Sequence, residues 1–284
     1  MQNSHSGPKI SIWTLETIKS RMQAGTRIPS SEGERVRAVD IGDNLIIKFG
    51  RWIAPEEGLA TQFVARHTQG IPVATIHAIV RDEASNPPYT YIVQERLPGK
   101  RLIELLPMLD AATCYTIALE LKAILSELAK LNTLGCMGTF GFPGQYPYTS
   151  LDQFIEGYPP YRITSPHDFV RWLPDAVRSV DPESPPLPSN IFDAFDTSRP
   201  PIFCHGDLVP ENILVFDGHI SGVIDWGCAG WYPYFWNDWI ACWRQKMPQY
   251  RDGKWIEMVN VMTEPFPAEV AAFEKIFRKA SETL

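Results

Sequence analysis

The chain has 284 residues, enough for one large domain or two lobes. A hydrophobic share of 44% with 21% charged residues is that of a well-cored globular protein. The formal charge of −7 excludes a general nucleic-acid binder, which needs a basic face. No stretch approaches the roughly 18 uninterrupted apolar residues that a membrane span requires. The five cysteines form no CxxC pair and read as reduced thiols, so cytoplasm is the expected compartment.

In chain order, the first clear elements are short β-rich runs at 36–39 and 45–49. Ile41-Gly42-Asp43-Asn44 separates them, which predicts a hairpin with Lys48 near its end. Ser30-Ser31-Glu32-Gly33 precedes the first of these strands. Pro55 suits the first position of a helix that carries Leu59, Phe63 and Val64 inward and stops near Gly70, with Glu57 in its first turn. Residues 89–96 predict a further strand, followed by Leu97-Pro98-Gly99. Ile117, Leu121, Ile124, Leu125 and Leu128 recur at helical spacing within 111–131, behind Asp110 as N-cap.

Residues 135–201 are rich in proline and aromatics and predict short helices and loops. Beyond them, Trp236, Trp239, Ile240, Trp243 and Met247 follow i, i+3, i+4, i+7, i+11, the stripe of a buried helix face rather than an aromatic cage. Trp231 and Tyr232 stand before that helix as candidates for substrate contact.

Residues 202–226 carry the chemistry. An apolar run at 212–216, the turn former Asp217-Gly218 and a second run at 220–224 predict a hairpin. Asn212 opens its outgoing strand and Asp225 follows the incoming one, so both sit opposite the turn. Asp207 lies on the loop feeding the hairpin. A base candidate and two oxygen ligands for a hard cation converge there, as phosphoryl transfer requires.

His205-x-Asp207-x-x-x-x-Asn212, followed by a hairpin and Asp225, resembles the catalytic layout of the protein-kinase-like fold. With Gly206 after the histidine and Trp226 after the second aspartate, the chain resembles the aminoglycoside phosphotransferase family, nearest its fungal branch. The match to His-Gly-Asp-Leu-x-Pro-x-Asn-Ile-Leu at 205–214 and Ile-Asp-Trp at 224–226 is complete.

That resemblance implies an α+β fold with a small β-rich N-terminal lobe (1–96), a larger, mainly helical C-terminal lobe (97–284) and a hinge at 95–99. It implies ATP, with GTP possible, and Mg²⁺ as cofactors, and a small-molecule hydroxyl acceptor as the partner of a chain taken as monomeric. Asp207 would orient the hydroxyl, and Asn212 and Asp225 would hold the metal. Lys48, fixed by Glu57, would neutralise phosphate. The 30–33 stretch with Ser31 would cover the phosphates, and the backbone at Glu95 and Leu97 would read the purine. His205 would brace the loop.

Two departures weaken an aminoglycoside-like acceptor. Tyr234 and Asn237 stand where the fungal branch usually has acids, and Asp238, one position along, is turned roughly 100° away on a helix. Two other readings stay open: a nucleotide-binding relative without kinase activity or with divergent chemistry, and a protein kinase. Against the second stand Gly206 and Trp226, and the absence of an Ala-Pro-Glu.

Overall fold

A computed structural model describes residues 13–29, 37–132, 137–140, 163–180, 183 and 186–281. The 30–33 stretch with Ser31 lies outside these residues, as do Cys136 and the proline- and aromatic-rich segment 141–162. The chain divides into two compact units, residues 1–55 with 75–96 and residues 56–74 with 97–284.

The first unit is an antiparallel sheet with one helix on it. Helix α1 (Leu15–Ala24) begins where the Thr14 hydroxyl accepts from the Thr17 N–H, a side-chain N-cap. Strands β1 (Thr26–Ile28), β2 (Arg37–Gly42), β3 (Leu45–Gly50), β4 (Ile76–Asp82) and β5 (Tyr89–Glu95) form a sheet of order β1-β2-β3-β5-β4 among the described residues. Asp43 and Asn44, both at positive φ (55° and 59°), make the tight turn between β2 and β3. Ile47, Tyr91 and Val93 pack with Ile18 of α1, and Phe49 lies against them. Strand alternation therefore puts Lys48 on the face away from α1, opposite Ile92 of β5.

The second unit opens with α2 (Pro55–His67). Ala60 and Val64 anchor it in a large core with Ile71, which explains why 56–74 groups with this unit although the sequence reading set it in a lobe spanning 1–96. Leu59, expected inward, is exposed, and Glu57 is buried instead. The apolar face is set by Ala60, Phe63 and Val64, leaving Leu59 a quarter-turn outside it.

Strand β6 (Lys100–Arg101), the short α3 (Leu102–Leu105) and the long α4 (Ala111–Leu128) follow. Asp110 caps α4 by accepting from the Thr113 N–H at 2.7 Å. Strand β7 (Gly138–Thr139) precedes α5 (Pro166–Val180), which is longer than the short helices expected in this region. It tolerates Pro174 because Phe169, Trp172, Leu173, Ala176 and Val177 are buried along one face. Strands β8 (Ile202–Cys204), β9 (Ile213–Phe216), β10 (His219–Val223) and β11 (Gly230–Tyr232) then alternate with short turns. Helices α6 (Trp236–Arg244), α7 (Gly253–Met262) and α8 (Pro267–Ser281) close the unit.

Trp236 and Trp239 of α6 are buried against Phe273 of α8 and Phe169 of α5, as their spacing predicts. Trp231 and Tyr232 are buried too, which corrects the expectation of substrate contact. Strand β11 pairs with β7 and β8, Trp231 packs on Phe203 and Phe63, and Tyr232 stacks on Trp236. Among the described residues, no helix is long and apolar enough to cross a membrane, and Cys114, Cys204, Cys228 and Cys242 are free thiols.

The β9–β10 hairpin turns at Asp217 and Gly218, both at positive φ (51° and 78°). The Glu120 carboxylate of α4 tethers this turn, accepting from His219 Nδ1 at 2.6 Å and from the Ile220 N–H at 2.8 Å. The Glu120 hydrogen bond raises the His219 pKa above its ordinary 6.5. A raised folded-state value means that the stabilisation is complete below 6.5 and is lost as pH rises through the folded pKa. Replacing His219 by Asn should therefore lower the melting temperature more below pH 6.5 than in alkaline solution, where the imidazole is neutral in both states. Equal losses in both pH ranges would show that the pair contributes nothing through charge.

Candidate active site in the second unit

Strand β8 ends at Cys204, and the next three residues form the loop that sequence analysis singled out. Gly206 has φ +82°, and a Cβ there would lie 2.0 Å from the Cys228 carbonyl oxygen. Only glycine permits this approach, which presses the 205–207 loop onto the segment just after Asp225. His205 is fully buried. Its Nε2–H donates to the Ile224 carbonyl at 2.9 Å, and Nδ1 accepts from the Asp207 N–H at 3.2 Å. Those two bonds require the neutral tautomer with its proton on Nε2. His205 thus ties the backbone of one aspartate to that preceding the other.

A 3₁₀ turn, Pro210–Asn212, carries the chain from Asp207 into β9. Asn212 is buried and closes the turn. Its Nδ2 donates to the Asp207 carbonyl at 2.9 Å and makes a long 3.4 Å contact to Asp207 Oδ2. Its own carbonyl accepts from the Ile224 N–H at 2.9 Å, so Asn212 and the residue before Asp225 are joined directly. With Nδ2 turned to Asp207, Oδ1 is the amide atom able to bind a cation.

Asp225 leaves β10 in the left-handed region (φ 67°, ψ 63°) and leads into the turn Trp226–Cys228. The open face of Gly227 lies 3.6 Å from Asp225 Oδ1 and 3.7 Å from Glu57 Oε2, measured to the place a Cβ would take. Glu57 is thus brought beside Asp225 within this unit. Leu97 packs on the same hairpin, since a Cβ on Gly222 would meet its Cδ1 at 2.7 Å. Strand β6, just after it, pairs with β9. Lys48 and Glu95 belong to the first unit. There the Glu95 N–H donates to the Thr75 carbonyl at 2.9 Å, and its carboxylate accepts from the Thr75 N–H at 3.3 Å.

One partner of Asp207 was not foreseen. Arg244 Nη2, at the end of α6, donates to Asp207 Oδ1 at 2.5 Å, and both side chains are mostly buried. The signal was present: Trp236, Ile240 and Arg244 stand at i, i+4, i+8, and a charge on a buried stripe demands a partner. Glu211 and Tyr250 sit in the same electrostatic cluster. Burial pushes the Glu211 carboxyl above its usual range and the Tyr250 phenol likewise upward.

Tyr234, at one of the positions lacking an acid, and Asp238 both have structural partners. Tyr234 is buried, donates to Glu269 Oε1 at 2.7 Å and accepts from the Asp196 N–H at 3.1 Å. Asp238 is buried and accepts from the Phe266 N–H at 2.7 Å, so it braces the start of α8.

A hairpin with an amide and a carboxylate at its open end, fed by a histidine-braced loop carrying an aspartate, is the layout of a phosphotransferase of kinase-like α+β fold. The model of the phosphotransferase enzyme family matches residues 53–272, and the chain belongs to that family. It is 27% identical to hygromycin-B 4-O-kinase of Escherichia coli over 254 residues, covering 84% of this chain and 68% of that protein.

Solved structures share the fold at lower identity. A complex of APH(2")-IIia with GDP and kanamycin superposes with TM-score 0.54 at 15% identity, covering 91% of this chain and 85% of that one. A thermostable mutant of aminoglycoside phosphotransferase APH(4)-Ia, with ADP and hygromycin B, gives 0.53 at 17% identity, covering 94% of each. A streptomycin–ATP complex of APH(2")-IIa gives 0.52 at 10% identity, covering 93% and 94%.

Proposed function

We propose that the chain transfers the γ-phosphate of ATP to a hydroxyl of a small molecule, with Asp207 orienting that hydroxyl and Asn212 and Asp225 holding Mg²⁺. The observation that carries this reading is the bonded link from Asp207 through Asn212 to the residue before Asp225, which brings all three to one end of one hairpin. The donor set fits magnesium. Among the described residues, no cluster of three or more His, Cys, Asp and Glu side chains forms a cage. One carboxylate and one amide oxygen suit a hard cation that keeps several waters and takes the rest of its ligands from phosphate. When bound, the metal offsets the charge of the β- and γ-phosphates.

The chain's own residues supply position and charge. Asp207 accepts a hydrogen bond from the acceptor hydroxyl and takes up its proton as the phosphoryl group leaves the nucleotide. His205 and Asn212 hold its backbone in place. Lys48 offsets phosphate charge, with Glu57 as its counter-ion. The backbone at Glu95 and Leu97 receives the purine edge.

A small molecule is favoured over a peptide because the eleven residues after Asp225 fold directly into a 3₁₀ turn, the buried β11 and the start of α6. No activation segment intervenes. The relative's name supplies the first acceptor to test, hygromycin B, while the buried Tyr234 and Asp238 argue for an acceptor site that does not rely on those two positions.

The test is ADP release with MgATP against a panel of aminocyclitols, sugars and amino alcohols, with mass detection of the product. The reading requires one acceptor that gains a single phosphate. Mg²⁺-dependent ATP binding with no phosphorylated product across the panel would support the nucleotide-binding alternative instead.

A further inference from the structure

We propose that Arg244 is a positioning residue for the reaction. Its guanidinium holds one oxygen of the Asp207 carboxylate and leaves the other for the acceptor hydroxyl, with the Glu211 carboxyl in the same buried cluster. The inference rests on Asp207 being the group that orients the acceptor. The family motif does not fix the residue type at position 211, and it ends well before positions 244 and 250.

A carboxylate on a loop can rotate about two bonds, and a hydroxyl presented to a phosphorus atom must be aimed closely. Backbone bonds from His205 and Asn212 fix where Asp207 starts, but not where its oxygens point. The side chain is fixed by Arg244 Nη2 on Oδ1 at 2.5 Å; the Asn212 contact to Oδ2, at 3.4 Å, is too long to do so alone. Arg244 is the last residue of α6, one turn after the buried Ile240, and its guanidinium lies 4.9 Å from the Trp243 ring centre. An arginine fork directs its donors along fixed lines, which a lysine on the same stem does not.

The second layer has the matching chemistry. Glu211 stands one residue before Asn212, and the buried Tyr250 lies close enough to influence its ionisation. Glu211 Oε2 and Arg244 Nε are both buried without a hydrogen-bond partner among the described residues, an acceptor and a donor of opposite charge in one cluster. Attraction between Glu211 and Arg244 favours keeping the guanidinium in this cluster, beside Asp207.

The experiment is steady-state ADP release from MgATP, with the acceptor phosphorylated fastest in the panel or with water where none is. It compares Arg244→Met, Arg244→Lys and Glu211→Ala, with Asp207→Asn as reference. Arg244→Met should lower kcat by about 100-fold with the KM for ATP unchanged, the effect of a misaimed reacting group. Arg244→Lys should restore only part of that loss, because the point charge lacks the fork. Glu211→Ala should cost roughly tenfold in kcat, the lower end for an outer-shell group.

A kcat for Arg244→Met within about twofold of native, beside an inactive Asp207→Asn, overturns the proposal and leaves the reading of Asp207 intact. Native turnover in Asp207→Asn overturns both. Should Arg244→Met melt below the assay temperature, Glu211→Ala carries the test, and an unchanged kcat there is the contradicting result.

Discussion

Asp207→Asn is expected to lower kcat by about 10²–10⁴-fold while leaving the affinity for MgATP unchanged. The substitution keeps the shape of the side chain, and its remaining oxygen still accepts from Arg244, so the loop closed by Gly206 and His205 has no reason to move. What disappears is the negative charge proposed to draw the acceptor's proton. Because the transition state is loose, most of the loss comes from orientation and the rest from proton transfer. Steady-state kinetics with calorimetric titration of a non-hydrolysable ATP analogue separate the two quantities. A parallel loss of affinity would mean that Asp207 contacts the nucleotide or its metal rather than the acceptor.

Replacement of Asp225 should have the opposite signature. Asp225→Asn is the variant of choice because the position is left-handed (φ 67°), a conformation that Asn adopts more readily than Ala. It retains the backbone and removes one full charge from the proposed cation site. Affinity for the ATP analogue should fall by at least ~100-fold in Mg²⁺. In EDTA the variant and native protein should bind alike, since neither then uses the carboxylate. Equal weakening with and without the metal would place Asp225 in a purely structural role.

Much of this site was legible because its residues are consecutive in sequence and its turns are chemically specified. The Asp217-Gly218 pair announces a hairpin. A hairpin between Asn212 and Asp225 puts both at its open end, as the Ile224–Asn212 bond realises. The tryptophan stripe of α6 was legible for a similar reason, since a 3.6-residue period needs no knowledge of the neighbouring helices.

Trp231 and Tyr232 were misread because a three-residue strand has no period to read. Only its pairing with β7 and β8 reveals that both are enclosed. Leu59 was misread because helix facing depends on which neighbours supply the core, and Ala60 and Val64 won that choice.

Arg244 and Glu211 belong to a third class. Each is a charge within an apolar stretch, so the need for a partner was visible, but the partner was not. Arg244 meets Asp207 across 37 residues, a contact that depends on where α6 docks. Pair identity at such separations is a property of the packed unit.

On the proposed function, Asn212 and Asp225 hold the metal of a bound nucleotide beside Asp207. A crystal structure with Mg²⁺ and a non-hydrolysable ATP analogue tests it most directly. The expected result is a magnesium ion at about 2.0–2.1 Å from one oxygen of each side chain, bridged to the phosphates, with Asp207 beside the terminal phosphate and not ligating the metal. A bound nucleotide whose metal is held by other residues, with Asn212 and Asp225 turned away, would contradict it.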